Sequence, residues 1–143
     1  MSLGRRTTLI ALGAIALVVA GGACSSDDAD PAADGTVGVT LQDFTVTLDP
    51  ATVPAGEVTF DTSNQGAEVH EFEIVKTDTP AGDFEITDDV ADFGDGEIVD
   101  EVEDIAPGTG ADLTVNLSAG TYAVVCNLPG HYGQGMHADL TVE

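Results

Sequence analysis

Four side chains that can bind a transition metal are concentrated near the C-terminus of the 143-residue chain. Residues 122–140 read YAVVCNLPGHYGQGMHADL and contain Cys126, His131, Met136 and His137. The prolines and glycines among them favour tight turns, so a strand ending at Cys126 and a strand beginning near Met136 would bring these side chains together. Thiolate, imidazole and thioether groups in one place favour a soft or borderline metal, copper above all.

Cys126, His131 and Met136 are spaced C-x4-H-x4-M, which supplies three of the four ligands of a blue copper site. Such a site binds copper through two imidazoles and a thiolate, with a weak axial methionine. His70 is the one histidine outside the loop, and it alternates with Phe72 on the apolar side of a predicted strand. We therefore predict one copper ion bound by His70, Cys126, His131 and Met136.

Other uses of these residues stay open. Alternation sends His137 to the face opposite Met136, but His137 could instead replace Met136 and give a more tetragonal site. Zinc could bind cysteine and histidine, although methionine is a poor zinc ligand. A disulfide between Cys24 and Cys126 would require the strand-end cysteine to reach a flexible N-terminal segment, which argues against it.

The elements that must position the ligands are predicted as β-strands. Apolar and polar residues alternate with period two, which is typical of strands with one buried and one solvent-facing side. The apolar positions are Val58, Phe60 and Thr62; His70, Phe72 and Ile74; Leu113, Val115 and Leu117; Tyr122, Val124 and Cys126; and Ala138, Leu140 and Val142. Glycine- and proline-containing turns separate these runs. Residues 36–143 are therefore predicted to form an all-β domain, a Greek-key β-sandwich of antiparallel strands.

One acidic segment interrupts this rhythm. Residues 77–104 contain 12 acidic residues and no basic one, with few large apolar side chains. The segment is predicted to be a long acidic surface insertion between two strands, with room for a short helix or hairpin. Calcium or magnesium binding by it is conceivable, but the spacing of an EF-hand is missing.

The charge of the chain excludes some classes of partner. The sequence has 26 acidic residues against 3 lysines and arginines, a formal net charge of −23, and Lys76 is the only base after residue 23. Nonspecific nucleic-acid binding needs a basic surface, and so does electrostatic docking to anionic lipids. The acidity could steer a basic redox partner, or it could serve solubility alone.

The N-terminus predicts export. Residues 1–23 combine a positive start, Arg5 and Arg6, with the apolar run 9–20. Twelve residues are too short to cross a hydrocarbon core of about 30 Å, so a cleaved signal is favoured over a permanent membrane helix.

The residues that follow predict an anchor and a tether. Small residues run into Cys24, as in lipoprotein signals, where that cysteine becomes the lipidated first residue, although plain cleavage is the alternative. Residues 24–35 are short and acidic, and they are predicted to be a flexible tether. We expect the domain to lie at the outer face of the cytoplasmic membrane or in the periplasm.

Residues 36–143 resemble the cupredoxin family of type 1 copper proteins. The specific part of the resemblance is AEVHEFEIV, at residues 67–75, together with VVCNLPGHYGQGM, at residues 124–136. The two four-residue gaps are similar to those of sulfocyanin and rusticyanin, whereas plastocyanin-like members have a shorter gap between cysteine and histidine. The resemblance implies a sandwich with one copper near one end, bound equatorially by His70, Cys126 and His131 and axially by Met136. The sequence departs from the family at Glu71, which follows the first histidine. Plastocyanin-like members carry at this position an asparagine that helps to brace the copper site.

The same resemblance implies a function. A type 1 copper protein carries single electrons by cycling between Cu(I) and Cu(II), and it is not an enzyme. Expected partners are redox proteins, such as cytochromes or a membrane oxidase or reductase, met by a monomer. The alternative from the same ligands is a copper chaperone or storage protein outside the cytoplasm.

Overall fold

The computed structural model describes residues 35–143, which form eleven β-strands and one short 3-10 helix. The predicted export signal at residues 1–23, Cys24 and the tether up to residue 34 lie outside the described residues. The strands are β1 (Thr36–Gln42), β2 (Thr45–Asp49), β3 (Thr52–Val53), β4 (Gly56–Asn64), β5 (His70–Lys76), β6 (Glu85–Thr87), β7 (Val90–Asp92), β8 (Glu97–Ile105), β9 (Gly110–Leu117), β10 (Gly120–Val125) and β11 (His137–Val142). The 3-10 helix spans Tyr132–Gln134. Within residues 35–143 no helix has the length and apolarity needed to cross a membrane.

The strands form two sheets packed face to face. The first sheet has the order β2-β1-β4-β9 and the second the order β3-β11-β10-β5-β8, while β6 and β7 form a separate hairpin. The chain passes from one sheet to the other after β2, β3, β4, β8 and β9. An all-β sandwich is therefore confirmed. The expectation of antiparallel strands throughout is wrong for two pairs, because β1 runs parallel to β4 and β3 runs parallel to β11.

The core lies between the sheets and follows the predicted alternation. Phe60 on β4 and Phe72 on β5 are both fully buried, and their ring centroids lie 5.2 Å apart across the two sheets. Tyr122, Val124 and Cys126 also point into this core, one after the other along the end of β10. Burial of such side chains is the main favourable contribution to folding.

The acidic segment at residues 77–104 is not one surface excursion. Residues 97–104 belong to β8, which pairs with β5 and forms an edge of the second sheet. The side chains of β8 are almost all exposed, so no alternation of buried and exposed positions was readable. Acidic side chains on an edge strand discourage pairing with other chains.

Residues 77–96, here called the cover segment, pack on the outer face of the second sheet. The segment turns Ala81, Phe84 and Ala91 inward against Val125 and Tyr132, forming a second hydrophobic cluster. For this reason β10 is buried on both faces, with Ala123 and Val125 as inaccessible as Val124.

Candidate metal centre

The loop between β10 and β11 carries three of the predicted ligands. Cys126 follows the last residue of β10, His131 caps the 3-10 helix, and Met136 directly precedes β11. Gly135 has a φ of 115°, a backbone conformation that favours glycine and that turns the chain back toward β11. The Cys126 amide then donates to the Met136 carbonyl at 3.0 Å, and the Met136 amide to the His131 carbonyl at 3.3 Å. The loop therefore closes on itself through main-chain hydrogen bonds.

His70 reaches the same place from the other end of the neighbouring strand. It is the first residue of β5, which pairs antiparallel with β10, so the start of β5 lies beside the end of β10. His70 and Cys126 are both fully buried, and His131 is 9% exposed. The structure therefore brings together side chains that are 56 and 61 residues apart in sequence.

The three donor atoms converge. His70 Nδ1 lies 3.2 Å from His131 Nδ1, and Cys126 Sγ lies 3.4 Å from His131 Nδ1 and 3.9 Å from His70 Nδ1. Nitrogen and sulfur ligands bind a first-row metal ion at roughly 2.0–2.3 Å, so donors at these separations can share one ion. Met136 is fully buried and packs in the same hydrophobic cluster as Cys126. The donors therefore fit copper, and the set His70, Cys126, His131 and Met136 is typical of a type 1 copper site.

Each imidazole contacts a carboxylate through Nε2, the ring nitrogen that does not face the other metal-binding atoms. His70 Nε2 lies 2.9 Å from Asp43 Oδ1, and His131 Nε2 lies 3.3 Å from Glu68 Oε2. Hydrogen bonds from the Ala67 amide and from His70 lower the pKa of Asp43, so its carboxylate is the acceptor. With the proton of His70 on Nε2, Nδ1 is free to bind a metal, and the carboxylate makes the imidazole a stronger donor.

The thiol is braced by the strand that carries His70. The Glu71 amide donates to Cys126 Sγ at 3.4 Å, and the Glu71 carboxylate accepts from the Asn127 amide at 2.7 Å. The asparagine of plastocyanin-like members is therefore replaced here by a residue that still ties the two strands together. Burial raises the pKa of the Cys126 thiol, so metal binding must displace its proton.

The side chain of His137 lies on the face of β11 that points away from the main core. Its ring centroid is 5.1 Å from that of Tyr132, outside the main core to which Met136 belongs. Alternation along the strand produces this separation, as predicted.

The sequence did not point to four residues that line the site. Asp43 and Phe44 come from the turn between β1 and β2, and the Phe44 ring packs edge-on against His131 at 5.2 Å. Glu68 and Asn127 are polar residues in loops, where solvated side chains are the usual expectation. None of these four residues belongs to the C-x4-H-x4-M pattern or to the alternating strand positions from which the ligands were predicted.

The sequence matches a known protein family over most of its length. The family described as cupredoxin-like domain matches residues 12–142, so the chain belongs to the cupredoxin-like family. No curated protein sequence is significantly similar to it.

Several solved structures share the fold. Dithionite-reduced auracyanin from the photosynthetic bacterium Roseiflexus castenholzii is 24% identical, with a TM-score of 0.57 over 76% of this chain and 97% of that one. Auracyanin A, a blue copper protein from Chloroflexus aurantiacus, is 23% identical, with a TM-score of 0.52 over 76% and 98%. Reduced rusticyanin is 26% identical, with a TM-score of 0.56 over 76% and 77%.

Proposed function

We propose that this protein is an electron carrier that uses one type 1 copper ion. The observation that carries the proposal is the convergence of His70, Cys126 and His131, three buried donors within 4.8 Å of one another, beside the buried Met136. Copper bound there would supply a one-electron couple between Cu(I) and Cu(II). The soft thiolate and thioether favour Cu(I), and the imidazoles accommodate Cu(II).

The residues around the site support transfer rather than catalysis. Strand ends, main-chain hydrogen bonds and two carboxylates hold the ligands, so little would need to move when the charge of the ion changes. Four protein ligands leave little room for a substrate on the metal. His131 is the ligand that approaches the surface, next to the half-buried Leu128, and it offers the shortest path for an electron to a partner.

The test is to load the full chain with Cu(II) and record visible and EPR spectra. An intense band near 600 nm, roughly where Cu(II)–thiolate sites absorb, that bleaches and returns over reduction and oxidation supports the carrier. Tight colourless Cu(I) binding with fast release would instead indicate a copper chaperone or store. Cys126→Ser is the control, because it removes the thiolate and should abolish the band.

We propose further that the carrier is exported and held at the outer face of the cytoplasmic membrane by a lipid on Cys24. The support is the sequence pattern of residues 1–24 alone. In this location it would exchange electrons with a cytochrome or a membrane oxidase or reductase. Cys24→Ala should move the protein from the membrane fraction to the soluble fraction, and an unchanged distribution would contradict the anchor.

A further inference from the structure

The cover segment contacts the ligand loop directly. Five hydrogen bonds join residues 81–91 to the loop between β10 and β11. They involve Asn127, Gly130 and Tyr132 on the loop, and the acceptors and donors on the cover segment are main-chain groups. The acidic side chains of the segment take no part in these contacts.

Two of the loop residues directly follow metal ligands. Asn127 follows Cys126, and its side-chain amide makes a pair of bonds with Ala91: Oδ1 accepts from the Ala91 amide at 2.7 Å, and Nδ2 donates to the Ala91 carbonyl at 3.3 Å. The side chain of Cys126 points into the core, and the side chain of Asn127 reaches the cover segment. The cover segment therefore holds the main chain next to Cys126 through the side chain of Asn127.

Tyr132 does the same for the second ligand. It follows His131, and its hydroxyl donates to the Ala81 carbonyl at 2.9 Å and accepts from the Phe84 amide at 3.0 Å. The ring is 3% exposed and packs against Phe84, so the hydroxyl is placed by the second hydrophobic cluster. Between the two, the Gly130 amide donates to the Asp89 carbonyl at 2.7 Å.

The cover segment is itself anchored to the sheet. The Ala81 amide donates to Asp139 Oδ1 on β11 at 2.7 Å, and Phe93, which follows the hairpin, packs against the second hydrophobic cluster, which includes Val75 on β5 and Ala123 on β10. A segment fixed at both ends of the hairpin can resist displacement of the loop, which a flexible segment could not do.

We infer that the cover segment is a clamp that fixes Cys126 and His131 in place through Asn127 and Tyr132. These two residues are positioning residues, because they act through the backbone of the ligands that precede them. The clamp deepens the proposed function, since a carrier needs ligands that are held before the metal binds. Its existence in the metal-free chain can be tested without that function.

The experiment measures amide hydrogen exchange of residues 127–135 in the metal-free full chain. Tyr132→Phe removes the two hydroxyl bonds and keeps the ring, and Asn127→Ala removes the amide pair. Each should speed exchange in the loop about tenfold, the effect of losing a hydrogen bond of ordinary net strength. Copper-loaded protein should release Cu(II) to a chelator faster by a similar factor.

Tyr122→Phe is the matched control. Tyr122 is 2% exposed, and its hydroxyl donates to the Ser118 carbonyl at 2.7 Å, near the opposite end of β10 from the site. Urea unfolding of each variant separates global destabilisation, which speeds exchange of all core amides, from local loosening. Unchanged loop exchange in both variants, or an equal increase in Tyr122→Phe, would overturn the clamp. If the unmutated chain bound no copper, the electron-carrier proposal would fail, and the exchange result would still decide the clamp.

Discussion

The imidazole of His70 is held between the metal centre and the carboxylate of Asp43. Its Nδ1 faces Cys126 and His131, and its Nε2 lies 2.9 Å from Asp43 Oδ1. Asp43 is held in turn by the amides of residues 67 and 68, which donate to its two oxygens at 2.8 and 3.3 Å. The turn between β1 and β2 thus fixes the tautomer and the orientation of a ligand that lies 27 residues further along the chain.

The first prediction concerns the charge on Asp43. Asp43→Asn removes that charge and makes the His70 imidazole a weaker electron-pair donor to the metal. The affinity for Cu(II) should fall more than the affinity for Cu(I). We expect Cu(II) affinity to fall by about 10- to 100-fold, as for other residues that support a metal ligand. The reduction potential should rise by about 60 mV for each tenfold change in Cu(II) affinity relative to Cu(I).

Glu68→Gln is the graded comparison for this variant. Glu68 lies farther from its imidazole, at 3.3 Å, and its side chain is 56% exposed. Solvent screening weakens such a pair, so a smaller rise in potential is expected. Equal shifts in the two variants, or no shift in Asp43→Asn, would contradict the role given to Asp43.

The second prediction concerns the space beside this contact. A Cβ atom at Gly66 would lie 2.8 Å from His70 Nε2 and closer still to Asp43 Oδ1. Gly66→Ala should separate the two side chains and lower the free energy of unfolding by about 1–3 kcal/mol, as overpacking does. Gly38→Ala is the control, because its Cβ would meet only the Asp49 carbonyl at 3.5 Å. Urea titration of both variants checks the prediction, which fails if they are equally stable.

The third prediction separates Met136 from His137. Met136 is buried in the core with Cys126, whereas His137 packs against Tyr132 on the outer face of the sheet. Met136→Leu should raise the reduction potential, because a site with one donor fewer favours the lower charge of Cu(I). His137→Ala should leave the visible spectrum of the copper protein unchanged. Loss of the band in His137→Ala would show that His137, and not Met136, is the ligand.

The fourth prediction concerns the pH dependence of stability. Burial, together with repulsion from Glu71 and Glu101, raises the pKa of Glu73 from 4.5 to about 7. Between these values the folded chain keeps a proton that the unfolded chain loses, so the free energy of unfolding should fall as pH rises from about 4.5 to 7.

Glu73→Gln should remove this dependence. The free energy of unfolding of this variant, relative to that of the unmutated chain, should increase by up to about 3 kcal/mol between pH 4.5 and pH 8. This value corresponds to the pKa shift of Glu73. Glu101→Gln should lower the pKa of Glu73 in the folded chain, because one source of repulsion is lost. The free energy of unfolding should then stop falling at a lower pH. Glu57→Gln, at an exposed position of β4, is the control and should leave the slope intact. Denaturant unfolding of the metal-free protein at several pH values measures all four.

Much of the site could be predicted because its ligands are local in sequence. Cys126, His131 and Met136 fall within one loop of eleven residues, so their residue types and their spacing together indicate a soft metal. His70 was identified because its strand alternates, and alternation reports which side chains share a face. The contacts of Asp43 and Glu68 gave no such signal, since a carboxylate in a turn has the same local pattern whether it faces solvent or an imidazole.

Part of the fold was hidden for a related reason. The strand β8 has exposed side chains on both faces over most of its length, so its sequence does not alternate and predicts an acidic surface insertion instead of a strand. The parallel pairings of β1 with β4 and of β3 with β11 depend on which strands meet after the chain crosses between sheets. A period-two pattern predicts a strand but not its neighbour.

The sequence by itself determined the donor set, the all-β class and the loop that carries three of the ligands. Each of these follows from residue types and short spacings, which bring groups together through the local geometry of strands and turns. Only the tertiary structure decided what holds the donors: Asp43 behind His70, Glu68 behind His131, and the cover segment against Asn127 and Tyr132. These contacts join residues 27 to 63 positions apart in the sequence, and they arise when the two sheets and the hairpin pack. Hydrophobic burial drives that packing, and it leaves no local signature at the polar residues that it brings together.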